Sequence, residues 1–369
     1  MYILQDNNIL LFFILHLVLA FFVFMISCRG SNGVDRFGVW VVALSYVLIV
    51  FTRQGLGVDE TTYRDAYDIY LTNPSAVEFE YAFKFLFYCF KMFSIAPENF
   101  NNLICCTYIL LITLVILFTV HSPYKSLCLL LFLFSSVSLD FIFNAYRQGF
   151  AFIFLFSSLL AYQAGKKKFS LVFMGIAIGF HWSSILIPLL LLSFRLIPKK
   201  KVNIILIGVT FLTLIGFVIP LGILPTLKMI LSSIPFKNYY FDKIGFYLMT
   251  SESSIYDLNF FGRLPLLANT LLLLVVTWYF RKYIDFIWIK LVTAVGLYCL
   301  IFMEMSFSFR NYYWLLPLLP FIACNILTTY RGLGRKDSAQ YVAMILLGHI
   351  FLSFVTYYTS PLIPFVFMS

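Results

Sequence analysis

The stretch KKKFSLVFMGIAIGFHWSSILIPLLLLSFRLIPKKK, residues 166–201, decides the fold. Two lysine triplets bracket it, and between them only Arg195 is charged. A single helix over residues 169–194 would run about 39 Å and carry the triplets to opposite faces of a bilayer. Lys and Arg concentrate on the cytoplasmic side of membrane proteins, so both triplets belong there and the chain must turn round. Each arm then has 12 or 13 residues, about 18–20 Å, shorter than a hydrocarbon core of about 30 Å. The turn falls at Gly179-Phe180-His181-Trp182-Ser183-Ser184. Irregular backbone at membrane depth survives only where protein or a water-filled cavity satisfies it. His181 is therefore expected at the floor of an outward-opening cavity, or else as a structural histidine bonded to a neighbouring helix.

The rest of the chain agrees with this reading. Of 369 residues, 62% are hydrophobic and 11% charged, with a mean hydropathy of +0.94; soluble domains carry roughly 25% charged residues. Apolar runs at 8–27, 37–52, 101–120, 126–143, 147–164, 169–180 with 182–194, 202–224, 263–280, 288–306, 312–330 and 338–358 predict an all-α, polytopic protein. It has about 11–12 spans and one broken or re-entrant hairpin, and forms a single integral membrane domain over residues 1–369. The runs lack the period-two alternation of a β-barrel. The N-terminus has neither the basic region nor the cleavage site of a signal peptide. The seven cysteines lack metal or redox spacing and read as small core residues.

Counting spans from the triplets puts both termini outside, with loops at about 53–100 and 225–262. Residues 79–96 are read as an amphipathic helix at the outer interface. The inner side then holds sixteen bases and three acids, the outer side ten bases and thirteen acids. The net charge of +10 is thus a topology signal and not a nucleic-acid footprint.

Four arginines run against that bias: Arg53, Arg147, Arg263 and Arg310. Each lies near an outer span end, where the plain alternative is snorkelling. Asn144, Arg147, Gln148 and Ala151 share one face if the segment is helical, and Glu304 is a candidate partner for Arg310. Guanidinium groups match phosphate oxygens bidentately, so a converging set suggests a lipid-linked phosphate or diphosphate. The first outer loop, Arg53 to Tyr67, adds Asp59, Glu60 and interleaved tyrosines, a composition found in sugar sites and in ordinary solvated loops. No His/Cys/Asp/Glu spacing suggests a metal, and no cofactor is expected. His16, His121 and His349 read as structural.

Gly57-x-Asp59 with Tyr63 and Tyr67, Glu80-Tyr81-Ala82-Phe83, Asn144-x-x-Arg147-Gln148-x-x-Ala151, Ile178-Gly179-Phe180-His181-Trp182-Ser183-Ser184 and Arg310-Asn311-Tyr312 together resemble the EpsG-like family, grouped with Wzy-type O-antigen and capsule polymerases. The resemblance spans about residues 50–320. It implies a GT-C-like architecture in a bacterial inner membrane and no nucleotide sugar. It further implies that the glycan would be transferred from undecaprenyl diphosphate to the non-reducing end of another lipid-linked repeat unit, on the periplasmic face. Partners would be that donor, the acceptor, the bilayer and a chain-length regulator. Diphosphate is a good leaving group, so charge stabilisation by Arg147, Arg310 and Arg53, with Asn144 and Gln148 beside them, matters more than a strong acid. Asp59 is the first candidate to accept the acceptor's proton. His181 is the second, or donates to the diphosphate instead. A flippase for the same lipid-linked oligosaccharide, a ligase using the same donor, and a membrane acyltransferase with His181 as base are the alternatives.

Overall fold

The computed structural model describes residues 7–223, 254–333, 338–359 and 362–367, with Thr226 and Met229. The first half contains α1 (Asn7–Arg29), α2 (Asn32–Thr52), α3 (Glu60–Thr72), α4 (Tyr81–Met92), α5 (Pro97–Thr119), α6 (Lys125–Leu133), α7 (Ser136–Phe143), α8 (Tyr146–Gln163) and α9 (Lys167–Phe180). Then come α10 (Leu186–Ser193), α11 (Lys199–Val218), α12 (Phe260–Tyr279), α13 (Phe286–Ile301), α14 (Leu318–Gly332), α15 (Ser338–Thr359) and α16 (Leu362–Phe367). Two compact units result. One comprises Met1–Leu186 with Ala323–Ser369, the other Ile187–Ile322. Most of the loop read at 225–262 lies outside the described residues.

Among the described residues no strand forms, and seven helices are long and apolar enough to cross a membrane, or eight counting the bent pair α6–α7 as one. The protein is an all-helical, polytopic membrane protein. Each apolar run of the sequence contains helix among its described residues. α9 and α13 are short, at 14 and 16 residues, and α8 carries Arg147 and Gln148 in its first turn.

Within the first unit the contacts reproduce the alternation of ends that the charge pattern predicts. At one end Asn8 donates to the Phe367 carbonyl (3.3 Å), Gly55 N–H to that of Val366 (3.1 Å) and the Asn101 amide to that of Glu60 (3.2 Å). At the other end Ser122 meets Asn32, Asp35 meets Lys125, and Arg331 lies against Gly30. The second unit alternates likewise. Lys290 donates to the Arg195 carbonyl at one end, while Tyr256 reaches Gly216 and Glu304 reaches Gly222 at the other.

Two helix breaks shape the first unit. The run 126–143, expected as one span, bends by 71° between α6 and α7. Ser135 restarts the helix by accepting the Ser138 N–H, and the Phe134 carbonyl freed there is taken by Ser353 and Tyr357 of α15. Side chains from a neighbour thus supply what water cannot supply at that depth. The expected break near His181 is present. α9 stops at Phe180, and His181 is extended (φ −154°, ψ 112°) before a 3₁₀ turn over Trp182–Ile185.

Asp35 anchors the end opposite these breaks. Its fully buried carboxylate accepts the backbone N–H of Lys125 (3.1 Å) and of Ser126 (3.0 Å) and the Ser126 hydroxyl (2.7 Å). An anion at a helix N-terminus satisfies orphan donors and the macrodipole together. Replacing Asp35 by Ala orphans two buried N–H groups at about 1–3 kcal/mol each. A fall of several degrees in the thermal midpoint of the detergent-solubilised protein is the expected result, with Asp35→Asn intermediate.

Candidate functional site

Arg53, Asp59, Asn144, Arg147, Gln148 and His181 all belong to the first unit, whereas Arg310 belongs to the second. Their placement begins with Glu60, the first residue of α3. Its carboxylate is fully buried and accepts from Arg53 Nη1 (2.5 Å), Arg53 Nη2 (2.7 Å), the Gly57 N–H (2.6 Å) and the Tyr146 hydroxyl. Gly57 has to be glycine, since a Cβ there would overlap the Phe143 carbonyl. The loop therefore presses directly on the end of α7, and Glu60 binds the end of α2 to the start of α8.

That arrangement gives Arg53 a different part from the expected one. Its side chain is 2% exposed, both terminal nitrogens lie on Glu60, and the Phe143 ring lies 4.7 Å from the guanidinium carbon. Burial pulls this guanidinium down, but Cys105, Glu60 and Tyr146 together push it above its ordinary value. It stays charged, as an internal strut.

Asn144 is also displaced from its expected setting. α7 ends before it and α8 begins after it at Tyr146, so Asn144 (φ −147°, ψ −61°) does not share a helical face with Arg147. The turn between the two helices claims it. Its Oδ1 accepts the Asp59 N–H (2.9 Å), and its Nδ2 donates to Asp140 (3.3 Å), fixing the half-exposed Asp59 at the head of α3. Gln148 and Ala151 are buried.

Arg147, in the first turn of α8, donates to Glu80 (2.7 Å) and to the Tyr63 hydroxyl, and lies 4.8 Å from the Phe79 ring centre. Its side chain is 29% exposed and that of Glu80 19%. The sequence motif contained Glu80 without giving it a task; only tertiary structure shows that its partner is 67 residues away. Glu80 immediately precedes α4, the helix read as interfacial, without a side-chain capping bond to it. There Phe83 and Phe87 are buried, while Tyr81, Phe85, Tyr88 and Met92 are exposed.

His181 reaches the same end through the α8–α9 hairpin. A turn over residues 164–166 joins the two helices, and Ser158 Oγ donates to the Ser170 carbonyl (2.8 Å) near that turn. At the far end Phe180 stacks on Phe150 (5.1 Å) and Phe154 (5.5 Å). Phe150 lies about one turn from Arg147, so His181, next to Phe180, sits beside the mouth of α8. Gly179 packs on Ala82, where an added Cβ would lie 3.1 Å from the Ala82 Cβ. The 3₁₀ turn that follows His181 packs on α8.

Two of the interleaved tyrosines of the first outer loop are packed inward. Tyr63 and Tyr67 are buried, and Tyr67 donates to the Ile95 carbonyl and stacks on Phe100. In the second unit Arg263 serves backbone, donating to the carbonyls of Leu258, Tyr256 and Phe217. Glu304 accepts the N–H groups of Gly222 and Ile223. Arg310 sits in the 3₁₀ stretch Ser308–Trp314, over the rings of Phe307 and Phe309. Among the described residues no group of three or more His, Cys, Asp or Glu is arranged to hold a metal ion.

Breaking the buried pair from one side leaves an uncompensated charge, at about 3–5 kcal/mol. Arg53→Met and Glu60→Gln should each lower the unfolding midpoint sharply. The double variant should cost clearly less than their sum, as a thermal double-mutant cycle would read. Gly57→Ala should mimic the single variants, because it drives the loop off Phe143.

No curated protein and no solved structure matches the chain. The EpsG family model matches residues 37–367, a range holding the Glu60 node, the Arg147–Glu80 pair and the His181 turn. The chain belongs to the EpsG family, the polymerase-like membrane proteins of exopolysaccharide and O-antigen assembly.

Proposed function

We propose that the protein is a polysaccharide polymerase that transfers a glycan from a polyprenyl diphosphate to the non-reducing end of another lipid-linked repeat unit. The observation that carries this reading is the half-open Arg147–Glu80 pair at the head of α8, the helix on which Phe180, the neighbour of His181, stacks and which follows Asn144, the partner of Asp59. Arriving diphosphate takes the place of Glu80 on Arg147, whose planar donors suit paired oxygens. The first N–H groups of α8 favour the same anion. The acceptor oxygen then bonds to the anomeric carbon as the carbon–oxygen bond to diphosphate breaks. That bond's electron pair leaves on the phosphate, and the acceptor's proton passes to a base, Asp59 or His181. Arg310 and Gln148 remain proposed ligands of the donor, while Arg53 and Asn144 position the loop that carries Asp59.

The lysine-rich ends support an orientation with this site on the periplasmic side of a bacterial inner membrane. The undecaprenyl carrier and a chain-length regulator are part of the same proposal.

The test supplies purified protein with lipid-linked repeat units in detergent. Wild type should build a ladder. Arg147→Ala should lose about 100-fold or more in rate, the usual loss of a charge-stabilising donor. Arg147→Lys should recover little of it, because a point charge lacks the paired donors. Wild-type chain lengths from Arg147→Ala would overturn the reading. So would redistribution between leaflets without elongation, the behaviour of a flippase, or a single transfer to a non-repeat acceptor, that of a ligase.

A further inference from the structure

The peptide N–H of Ser183 points at the His181 ring, with its nitrogen 3.3 Å from Nδ1, and the Ser183 hydroxyl oxygen is 2.8 Å from the same atom. A peptide N–H can only donate, so Nδ1 must hold its lone pair. His181 is the N-cap of the 3₁₀ turn Trp182–Ile185, and that lone pair is its capping group. A neutral imidazole has one lone pair and one N–H, so its proton resides on Nε2.

We propose that His181 acts as an Nε2–H hydrogen-bond donor to the departing diphosphate, and that Ser183 is the positioning residue that holds the ring in this tautomer. The inference rests on the proposed transfer reaction. It assigns the two roles left open there. A ring whose only lone pair caps a turn cannot accept the acceptor's proton. A neutral N–H stabilises the leaving oxygens without giving its proton up, the electrophilic use of histidine. The proton of the acceptor hydroxyl therefore passes to a carboxylate, Asp59, and no proton passes through His181. The fold explains the cost of this arrangement. Starting a new turn at Trp182 leaves its first backbone donors unsatisfied at membrane depth, and His181 meets one of them, the Ser183 N–H, with the nitrogen it does not use for chemistry.

Amide side chains separate the roles, because Gln places an N–H near the Nε2 position and Asn near Nδ1. In the ladder assay His181→Ala and His181→Asn should lose about 100-fold or more in kcat, and His181→Gln should stay within about tenfold of wild type. Ser183→Ala should lower kcat several-fold at unchanged donor KM, and should cost nothing further in the His181→Gln background, where no tautomer needs fixing. Asn matching or exceeding Gln, or Gln falling to the level of Ala, would overturn the donor role. A full additional loss on adding Ser183→Ala to His181→Gln would overturn the positioning role. One readout is independent of the reaction. Nitrogen NMR of histidine-labelled protein, with His181 assigned by its loss in His181→Gln, should show Nδ1 bare and Nε2 protonated. The reverse would sink the tautomer even if Arg147 proves essential, and an inert Arg147 would sink the reaction while leaving the tautomer standing.

Discussion

The Glu60 carboxylate holds this end of the first unit together. Three separate elements donate to it, Arg53 after α2, Gly57 in the loop and Tyr146 at the head of α8, and its own carbonyl takes Asn101 of α5. A buried carboxylate would be costly alone, and a buried guanidinium no less so. Paired and fully hydrogen bonded, they fix four chain segments that share no local sequence. Together with the Asp59 N–H bond to Asn144, this node ties the head of α3 to the start of α8.

Membrane depth imposes the second condition. Each place where the helical ladder stops must find donors and acceptors in the protein. At Phe134 the partners are hydroxyls of α15, at Asn144 the partners are Asp59 and Asp140, and at His181 the partner is the following turn. The last two breaks bring polar side chains to the end that carries the candidate site. The satisfaction of backbone and the assembly of a site are here one event, which explains why polar residues gather at breaks in a chain that is only 11% charged.

Much of this was legible in the sequence. The spans, the turn at His181 and the alternation of ends followed from apolar run length and lysine placement, which depend on one-dimensional distances. The bend at Ser135 was not legible, because the residues that make it tolerable, Ser353 and Tyr357, lie more than 200 positions away. Asn144 and Arg147 fit one helical face on paper, but a turn too short for a continuous helix separates them. Arg53 and Glu60 were visible as loop charges. That they seal each other depends on Gly57 pressing against Phe143, a contact no spacing rule contains.

Three ion pairs among the described residues differ in how readily they could open, and the comparison supports Arg147 as the proposed cation for the substrate. Arg53–Glu60 is sealed, at 2% and 0% exposure, and opening it would strand both charges without solvent. Arg64–Asp65 is open, at 39% and 65%, and pairs of that kind contribute about 0–1 kcal/mol, too little to organise a ligand. Arg147–Glu80 lies between, at 29% and 19%. Glu80 can move into water at modest cost, while Phe79, Tyr63 and the head of α8 keep the guanidinium aimed. A resting site for a polyanion needs such a counter-ion, since a bare, partly buried arginine would destabilise the empty protein. A diphosphate, the donor group proposed above, would carry more charge than the carboxylate it displaced and would also meet the helix N-terminus, so the exchange would run toward substrate. In the reaction proposed above, Glu80 would close on Arg147 again once the free diphosphate carrier left, resetting the site without any change in the fold.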